Sequence, residues 1–397
     1  MTDERWSIAF VVPRYGAEIV GGAEALARGF AERLPPDRFA VEVLTTCARD
    51  HHTWNNVWTP GEERQGAVTV RRFPVSEREV GRFLAVQQRL SEGFVLDLDE
   101  ELDWAASSVN SEPLFSYLDD ERDRFDAFLF LPYLFGTTLL GSQIDPRRSV
   151  LIPCLHDEPF AYLQIVDHLF RSVRGAVFNS APERSLARRL FGVASDAPVV
   201  GFGFDPVERE TGGAAAFRSR HGLDGDYLLY FGRKEGGKNL PLLLDAFRAC
   251  RADDRDLRLV VAGDGSVAGE ALTEGVVDLP RLSEAEKRAG CAGALAVCQP
   301  SVNESFSIVL MESWLQETPA LVNGRCAVTR HHVTLSNGGL YFNDPLEFAA
   351  EVDYLRRHPE ERREMGRQGR TYVLDNYSWP LVLGRFERAL EEILFPT

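Results

Sequence analysis

The stretch ALAVCQPSVNESFSIVLMESWLQETPALVN, residues 294–323, contains the pattern from which the fold can be predicted. ALAVCQP is a short apolar run that ends at a proline, as a buried strand does. After the turn SVNES, the segment FSIVLMESWL carries apolar side chains at helical spacing, which predicts a helix with an inward apolar face. PALVN then predicts a second strand. A strand, a helix and a strand in succession predict two parallel strands in one sheet.

The same alternation of strands and helices extends through both halves of the chain. Strands are predicted at 7–13, 39–47, 67–75, 127–133, 149–155 and 175–180, and again at 227–232, 257–263, 294–300 and 319–323. The Gly- and Pro-containing stretch 199–206 separates the two series. We therefore predict an α/β fold with two Rossmann-like, doubly wound parallel-sheet domains. The predicted first domain is 1–205, with an acidic helical insertion at about 76–124, and the second domain is 206–377.

Composition limits the classes of partner. The 397 residues include 44 Lys+Arg and 60 Asp+Glu, a net charge of −16, which argues against nucleic acid or an anionic membrane as main partner. Peripheral membrane contact through the basic stretch 184–192 is an alternative that this charge disfavours. The most apolar stretch, 127–141, is shorter than the roughly 20 residues of a membrane-spanning helix. The cysteines form no CxxC pair and the first residues lack a basic start, which predicts a cytoplasmic protein with reduced thiols.

Glycines follow the first predicted strand. In open parallel sheets, ligands bind outside the carboxyl ends of the strands, so residues at these positions are candidate site residues. Gly21 and Gly22 precede a strong helix pattern, and a glycine turn at a helix N-terminus favours an anion such as phosphate. A tight turn without a ligand is the alternative.

Two basic residues follow the first strand of the second series. Arg233 and Lys238 lie on either side of a glycine-containing loop, and a guanidinium with an ammonium suits a diphosphate. Solvated surface charges are the alternative.

After the next strand, Gly263, Gly265 and Gly269 form a loose dinucleotide fingerprint in which one spacing is a residue too long. We interpret this turn as a close backbone approach to a nucleotide, with a plain turn as the alternative.

Two carboxylates flank the apolar helix of the first stretch. Glu304 lies in the turn before the helix, which Ser305 or Asn303 is expected to cap, and Glu312 lies within the helix. Ionised carboxylates only accept hydrogen bonds, so each can bind vicinal hydroxyls of a sugar or a ribose. The alternatives are a charge favoured by the helix dipole for Glu304 and a solvated face for Glu312.

Together these motifs resemble a known family. Their order is GG near the N-terminus, then G-R-x4-K, A-G-D-G, P-S-x2-E-x7-E and T-P. This order resembles the retaining glycosyltransferases of family 4, whose GT-B fold has two Rossmann-like domains facing across a cleft. The resemblance covers nearly the whole chain and is strongest from 227 to 323. It implies that residues 378–397 form a last helix that crosses back to the first domain.

The resemblance implies roles for individual residues. Arg233 and Lys238 would hold the donor's diphosphate, and Glu304 would contact the hydroxyls of the donor sugar; all three are expected to be catalytic residues. Glu312 would take the ribose, and His156, in CLHDEPF, would lie beside the reacting sugar as a catalytic residue. The remaining residues expected at the donor are Gly21, Gly22, Gly232, Gly263, Gly265, Phe306, Ser307 and Ile308.

The reaction implied is transfer, with retention, of a sugar from a nucleoside-diphosphate sugar to an acceptor hydroxyl. A UDP-sugar is the first choice of donor and a GDP-sugar the second; the acceptor is a glycan, a lipid-linked intermediate or a small molecule. An NAD(P)-dependent oxidoreductase and a catalytically silent sugar-nucleotide-binding partner are the rival hypotheses.

The sequence departs from the family pattern at several positions. Ser307 stands where the family often has glycine, QETP (316–319) replaces C-G-T-P, and Pro280 replaces a common glycine.

No cofactor or metal is expected. The D-x-D spacing in DLDEELD (97–103) falls in the acidic insertion and predicts a solvated helix face. The adjacent pairs His51–His52 and His331–His332 are expected to have diverging side chains.

Overall fold

The chain forms two compact units. The computed structural model describes residues 5–19, 21–234, 236–253, 255–267 and 274–395. The first unit comprises Met1–Gly203 and Pro380–Thr397, and the second comprises Phe204–Trp379. Each unit contains its own sheet, with helices as the connections between strands.

The sheet of the first unit is mostly parallel. Its described strands are β1 Trp6–Val11, β2 Phe39–Thr46, β3 Gly61–Gln65, β4 Val68–Phe73, β5 Ala127–Phe130, β6 Ser149–Leu151 and β7 Gly175–Ala176. Their order is β3-β4-β2-β1-β5-β6-β7, and only β3 is antiparallel to its neighbour. The central strands β1 and β5 are almost completely buried, as expected for a sheet covered on both faces.

Helices connect these strands and cover the sheet. They are α1 Gly22–Arg33, α2 Val80–Ser91, α3 Leu98–Ser107, α4 Glu112–Asp120, α5 Gly136–Leu139, α6 Gln164–Ser172 and α7 Ala181–Phe191. Three of them, α2 to α4, lie in the segment predicted as an acidic helical insertion. This segment has an apolar anchor, because the buried Trp104 stacks on Phe83 and on Phe160.

The second unit contains a fully parallel sheet in its described residues. The strands are β8 Tyr227–Phe231, β9 Arg258–Ala262, β10 Val276–Leu279, β11 Ala296–Gln299, β12 Ala320–Asn323 and β13 Gly339–Phe342, in the order β10-β9-β8-β11-β12-β13. The helices are α8 Thr211–Arg220, α9 Leu240–Asp253, α10 Glu284–Gly293, α11 Ile308–Leu315, α12 Ala327–Ser336, α13 Pro345–Arg357 and α14 Pro359–Tyr377. The predicted α/β class with two parallel-sheet domains is confirmed.

The stretch 294–323 folds as β11, α11 and β12, as predicted. Leu310, Met311 and Trp314 of α11 are completely buried, so the inward apolar face of the helix is confirmed. Trp314 also donates a hydrogen bond from Nε1 to the Gly338 carbonyl, 2.7 Å away. The helix is thereby fixed against the segment that leads into β13, which sets the position of its first turn beside the strand ends.

The last helix, α15 Trp379–Leu394, packs in the first unit from Pro380 onward. The ring of Phe386 stacks on Phe30, with centroids 4.4 Å apart, and Glu387 pairs with Arg38 at 2.7 Å.

Five of the six cysteines are buried and Cys154 is half-buried. Over the described ranges, no helix combines the length and the apolar character needed to cross a membrane.

Candidate functional site

The predicted donor residues of the second unit lie after the carboxyl ends of neighbouring strands. Arg233 and Lys238 follow β8, Gly263 and Gly265 follow β9, and Glu304 follows β11. In the sheet, β8 lies between β9 and β11, so these three loops are adjacent. Ligands of open parallel sheets bind at this edge.

Two of the predicted catalytic residues are in direct contact. The ammonium of Lys238 lies 2.7 Å from Glu304 Oε1. The Lys238 side chain is 26 % exposed and that of Glu304 is 10 % exposed. The structure thus places a cation and an acceptor-only carboxylate side by side, which suits a ligand that carries both phosphate and hydroxyl groups.

A buried amide, which the sequence pattern did not indicate, supports Glu304. Gln299, the last residue of β11, donates from Nε2 to Glu304 Oε1 and to Ser307 Oγ, each at 3.3 Å. Its Oε1 accepts from the Ser301 hydroxyl, also at 3.3 Å. Because Glu304 only accepts, the orientation of the Gln299 amide is fixed. Both of these bonds end at Glu304 Oε1, so Oε2 accepts from neither Lys238 nor Gln299.

Helix α11 begins differently from the prediction. Its N-cap is Ser307, so the expectation that Ser305 or Asn303 caps the helix is wrong. Ser307 has φ +72°, in the left-handed region, and its side chain makes no capping hydrogen bond. A serine in this conformation is strained. Glycine adopts it without strain, which agrees with the glycine often found at this position in the family that the motifs resemble. The uncapped first turn has backbone N–H groups suited to an anion.

Phe306 and Ile308 flank this N-cap. The ring of Phe306 is buried and packs edge-on against Tyr377, with centroids 4.9 Å apart. Its side chain is therefore part of the core, and a donor could be met only by the backbone of this residue. Ile308 is the first residue of α11 and is partly buried.

Glu312 forms an ion pair inside the unit. Its Oε1 lies 2.5 Å from the ammonium of Lys287, and the two side chains are 23 % and 16 % exposed. The alternative of a solvated face for Glu312 is therefore wrong. Burial raises the pKa of the Glu312 carboxyl, while the adjacent Lys287 ammonium opposes that rise.

Lys234 forms a second buried ion pair, with Asp278, at the carboxyl ends of the strands. Its side chain is 1 % exposed, and its ammonium lies 2.6 Å from Asp278 and 2.6 Å from the Leu279 carbonyl. Asp278 also accepts from the Val267 amide at 3.1 Å. Lys234 and Lys287 were not predicted as site residues. One signal could have indicated them: the chain has only three lysines, at 234, 238 and 287.

The glycines of the second unit permit close packing of strand ends. Gly263 has φ +147°, and a Cβ atom there would lie 1.8 Å from the Gly232 carbonyl oxygen. A Cβ on Gly265 would lie 3.3 Å from that of Lys234. These contacts are internal to the unit, so they account for both glycines as packing residues. Gly269, the third glycine of the loose fingerprint, lies outside the described residues.

Gly263→Ala should destabilise the second unit by about 2 kcal/mol, because the new Cβ collides with backbone and the backbone conformation is one that alanine rarely adopts. Gly237→Ala is the matched control, since no atom lies within 4 Å of the added Cβ. Chemical denaturation of the two variants measures the difference. Equal stability would show that the strand ends can separate at no cost.

In the first unit, Gly21 is the N-cap of α1 and Gly22 is its first residue. The Glu24 carboxylate bends back toward this N-terminus, where a Cβ on Gly21 would meet Glu24 Oε2 at 1.9 Å. Glu24 also forms a buried ion pair with Arg14. An internal carboxylate therefore already lies at the position where the sequence predicts a phosphate.

His156 follows β6 and lies beside the Glu158 carboxylate in the first unit. Its Nδ1 lies 3.6 Å from Glu158 Oε1, which accepts from the Tyr133 hydroxyl at 2.9 Å. The buried carboxylate of Glu183 accepts from the amide of Leu155 at 2.6 Å and so holds the residue next to His156. Burial raises the pKa of Glu183 to about 8.

The acidic and histidine motifs considered for metals have internal partners. Asp97 caps α3, and Glu101 is buried and accepts from the Ile165 amide at 3.0 Å, so a solvated face is wrong for Glu101. The rings of His51 and His52 lie 3.9 Å apart in a turn, which corrects the expectation that they diverge. Across the part of the chain that the structure describes, no three His, Cys, Asp or Glu side chains are grouped to hold a metal ion.

Residues 214–372 match the family described as Glycosyl transferases group 1. This range, about two fifths of the chain, is similar to that family. The matched range includes Arg233, Lys238, Glu304 and Glu312, whereas His156, Gly21 and Gly22 lie outside it. This agrees with the prediction of a nucleotide-sugar-dependent glycosyltransferase.

Two curated relatives share shorter regions. A Xenopus tropicalis glycosyltransferase 1 domain-containing protein 1 is 28 % identical over 111 residues, which is 27 % of this chain and 31 % of that protein. The lipopolysaccharide 1,2-N-acetylglucosaminetransferase of Salmonella typhimurium strain LT2 is 25 % identical over 186 residues, 42 % of this chain and 49 % of the relative. The matches thus span between about a third and a half of the relatives' length.

Solved structures support the fold of the whole chain. Anabaena HepE in complex with UDP and glucose superposes with a TM-score of 0.69 over 98 % of this chain and 100 % of the other, at 15 % identity. At this identity the likeness concerns the fold, which is GT-B, as the resemblance implied.

Proposed function

We propose that this protein is a retaining glycosyltransferase that moves a sugar from a nucleoside-diphosphate sugar to an acceptor hydroxyl. The observation that carries the proposal is the contact between Lys238 and Glu304 at the carboxyl ends of β8 and β11, inside the group 1 domain. The ion pair presents a cation for phosphate and a carboxylate for sugar hydroxyls in one place.

A UDP-sugar is the proposed donor, with a GDP-sugar as second choice. Support comes from the solved relative that binds UDP and glucose and from the relative that transfers N-acetylglucosamine. The acceptor is proposed to be a glycan, a lipid-linked intermediate or a small molecule. Neither a cofactor nor a metal ion is part of the proposal, and the protein is proposed to act in the cytoplasm.

In the proposed reaction, the bond between the anomeric carbon and the donor's phosphate oxygen breaks, and the electron pair stays with the leaving diphosphate. A bond forms between the anomeric carbon and the acceptor oxygen on the same face of the sugar. The acceptor's proton passes to the leaving phosphate, so that the products are the glycoside and the nucleoside diphosphate.

Charge develops on the diphosphate as this bond breaks. Arg233, Lys238 and the N-terminus of α11 are proposed to stabilise that charge, and such stabilisation accelerates the reaction because it is stronger in the transition state than in the ground state. Glu304 Oε2, which has no role in the bonds to Lys238 and Gln299, is proposed to accept from hydroxyls of the sugar.

Thermal unfolding in the presence of UDP, GDP, ADP, dTDP and NADH tests the proposal. A nucleoside diphosphate at about 100 times its dissociation constant should stabilise the protein by roughly 2.7 kcal/mol. Arg233→Ala should weaken that binding at least about tenfold, because a bidentate cation is lost. Arg255→Ala, at an exposed position before β9, is the matched control and should leave the shift unchanged.

The outcomes separate the rival hypotheses. Release of the nucleoside diphosphate from UDP-glucose, UDP-N-acetylglucosamine or GDP-mannose should accompany binding. A shift with NADH alone would support the oxidoreductase, and binding without any turnover would support the silent partner.

A further inference from the structure

The chain uses lysine so rarely that the position of each lysine is informative. Of its 44 Lys+Arg residues, only Lys234, Lys238 and Lys287 are lysines, and all three lie in the second unit. Each forms an ion pair with an acid, and none is mostly exposed. Arginine supplies every other cationic side chain, so these three positions are where a compact ammonium with three donors occurs.

Lys287 lies next to the loop that carries Arg233. Its ammonium is 5.7 Å from the ring centroid of Phe231, the last residue of β8, and it bonds to Glu284 at 3.0 Å as well as to Glu312. Glu312 receives this bond at Oε1, which leaves Oε2 for another partner. Hence the only cation close to Glu312 among the described residues approaches one of its two carboxylate oxygens.

We propose that Lys287 is a positioning residue: by binding Oε1 of Glu312 it orients that carboxylate so that Oε2 accepts hydrogen bonds from the donor's ribose, the group that the family resemblance assigns to Glu312. This inference rests on the proposed function. It extends the donor site to α10, a helix that the family resemblance left without a role. Lys287 itself touches Glu312 and Glu284, and it acts on the ligand through Glu312.

Physical chemistry favours this role over a purely structural pair. A largely buried ion pair can often be replaced by apolar side chains at no loss of stability, so such a pair is weak support for a role in stability alone. Burial raises the pKa of Glu312; of the charged groups that face it, Lys287 lowers this pKa and Glu284 raises it. The Cys291 thiol of α10, whose own pKa is raised mainly by burial, also faces Glu312. Without Lys287 the carboxyl would become easier to protonate and would lose its acceptor-only character.

The test compares the dissociation constants of UDP and 2′-deoxyuridine diphosphate by titration calorimetry at several pH values. GDP and its 2′-deoxy form replace them if guanosine diphosphate is the ligand that binds. Wild type should prefer the ribose form by about tenfold, the value of one charge-assisted hydrogen bond of roughly 1.4 kcal/mol. Lys287→Met should reduce this preference to within twofold.

The pH dependence adds a readout that a structural role would not change. Because loss of Lys287 raises the pKa of Glu312 further, the affinity of Lys287→Met for UDP should fall as the pH is lowered, starting at a higher pH than in wild type. Lys287→Arg should preserve the ribose preference. Arg220→Gln, which breaks an exposed pair with Glu286 on the same helix, should leave both quantities unchanged.

Each outcome decides the question. A folded Lys287→Met variant that keeps the full ribose preference at every pH overturns the inference while leaving the proposed function intact. If that variant does not fold, Lys287→Gln and Glu312→Gln serve instead, and both should lose the preference. If wild type binds no nucleoside diphosphate, the proposed function fails and this inference fails with it.

Discussion

Lys238→Ala should lower the rate of sugar transfer by about a hundred- to a thousandfold, the range measured when one preorganised donor to a developing charge is removed. The substitution takes away the ammonium beside Glu304 and leaves that carboxylate, only 10 % exposed, without its cation. Both effects act at the place where the leaving diphosphate gains charge. The loss should appear mainly in kcat, because the interaction strengthens in the transition state.

The measurement is release of the nucleoside diphosphate from the donor, with water as acceptor until an acceptor is known. Lys238→Arg should retain more activity than Lys238→Ala, because the charge remains although its geometry changes. Combining Lys238→Ala with Glu304→Ala should cost less than the sum of the two single losses, since the residues are in contact. Activity of Lys238→Ala within a few fold of wild type would refute the catalytic role of this pair.

The fold of the second unit was predictable where apolar runs are bounded by turn residues. Residues 294–323 gave the strand, helix and strand that the structure contains. The strand β13, with the sequence GLYF, was missed because it is short and follows SNG, which resembles a turn. In the first unit, the edge strand β3, GEERQ, was also missed. Nearly all of its side chains are exposed, so its sequence lacks the alternation of apolar and polar residues that predicts a strand.

The start of α11 shows where local pattern fails. A helix was predicted from Phe306, but the strained backbone of Ser307 delays it to Ile308. The Gln299 amide, which donates to both Ser307 and Glu304, accompanies this unusual conformation. No capping rule based on residue types anticipates a serine with positive φ, because serine seldom adopts that conformation.

The ion pairs of the site were not predictable, because their partners are distant in sequence. Lys287 and Glu312 come from different helices, and Lys234 and Asp278 from different strand ends. The pair of Lys234 and Asp278 forms only because the sheet places β8, β9 and β10 side by side. The order of the motifs predicted Arg233, Lys238, Glu304 and Glu312. The residues that contact the two acids, Gln299 and Lys287, could be identified only in the structure.

Lys234→Met should destabilise the second unit by about 3–5 kcal/mol, the usual cost of removing one partner of a buried ion pair. The Lys234 side chain is 1 % exposed, and its ammonium bonds to Asp278 and to the carbonyls of Leu279 and Gly265. These bonds join the ends of β8, β9 and β10, so their loss should loosen all three strands. Amide hydrogen exchange in β8 and β9 measures the effect within this unit.

The double variant Lys234→Leu with Asp278→Leu distinguishes the cost of an unpaired charge from the value of the pair. It should recover much of the stability lost in Lys234→Met, because no charge remains buried alone. Recovery should stay incomplete, since the Val267 amide loses its acceptor on Asp278. Arg356→Met, which breaks a more exposed pair with Asp226, should barely change exchange in β8 and β9. Unchanged exchange in Lys234→Met would mean that the buried ammonium does not hold these strand ends together.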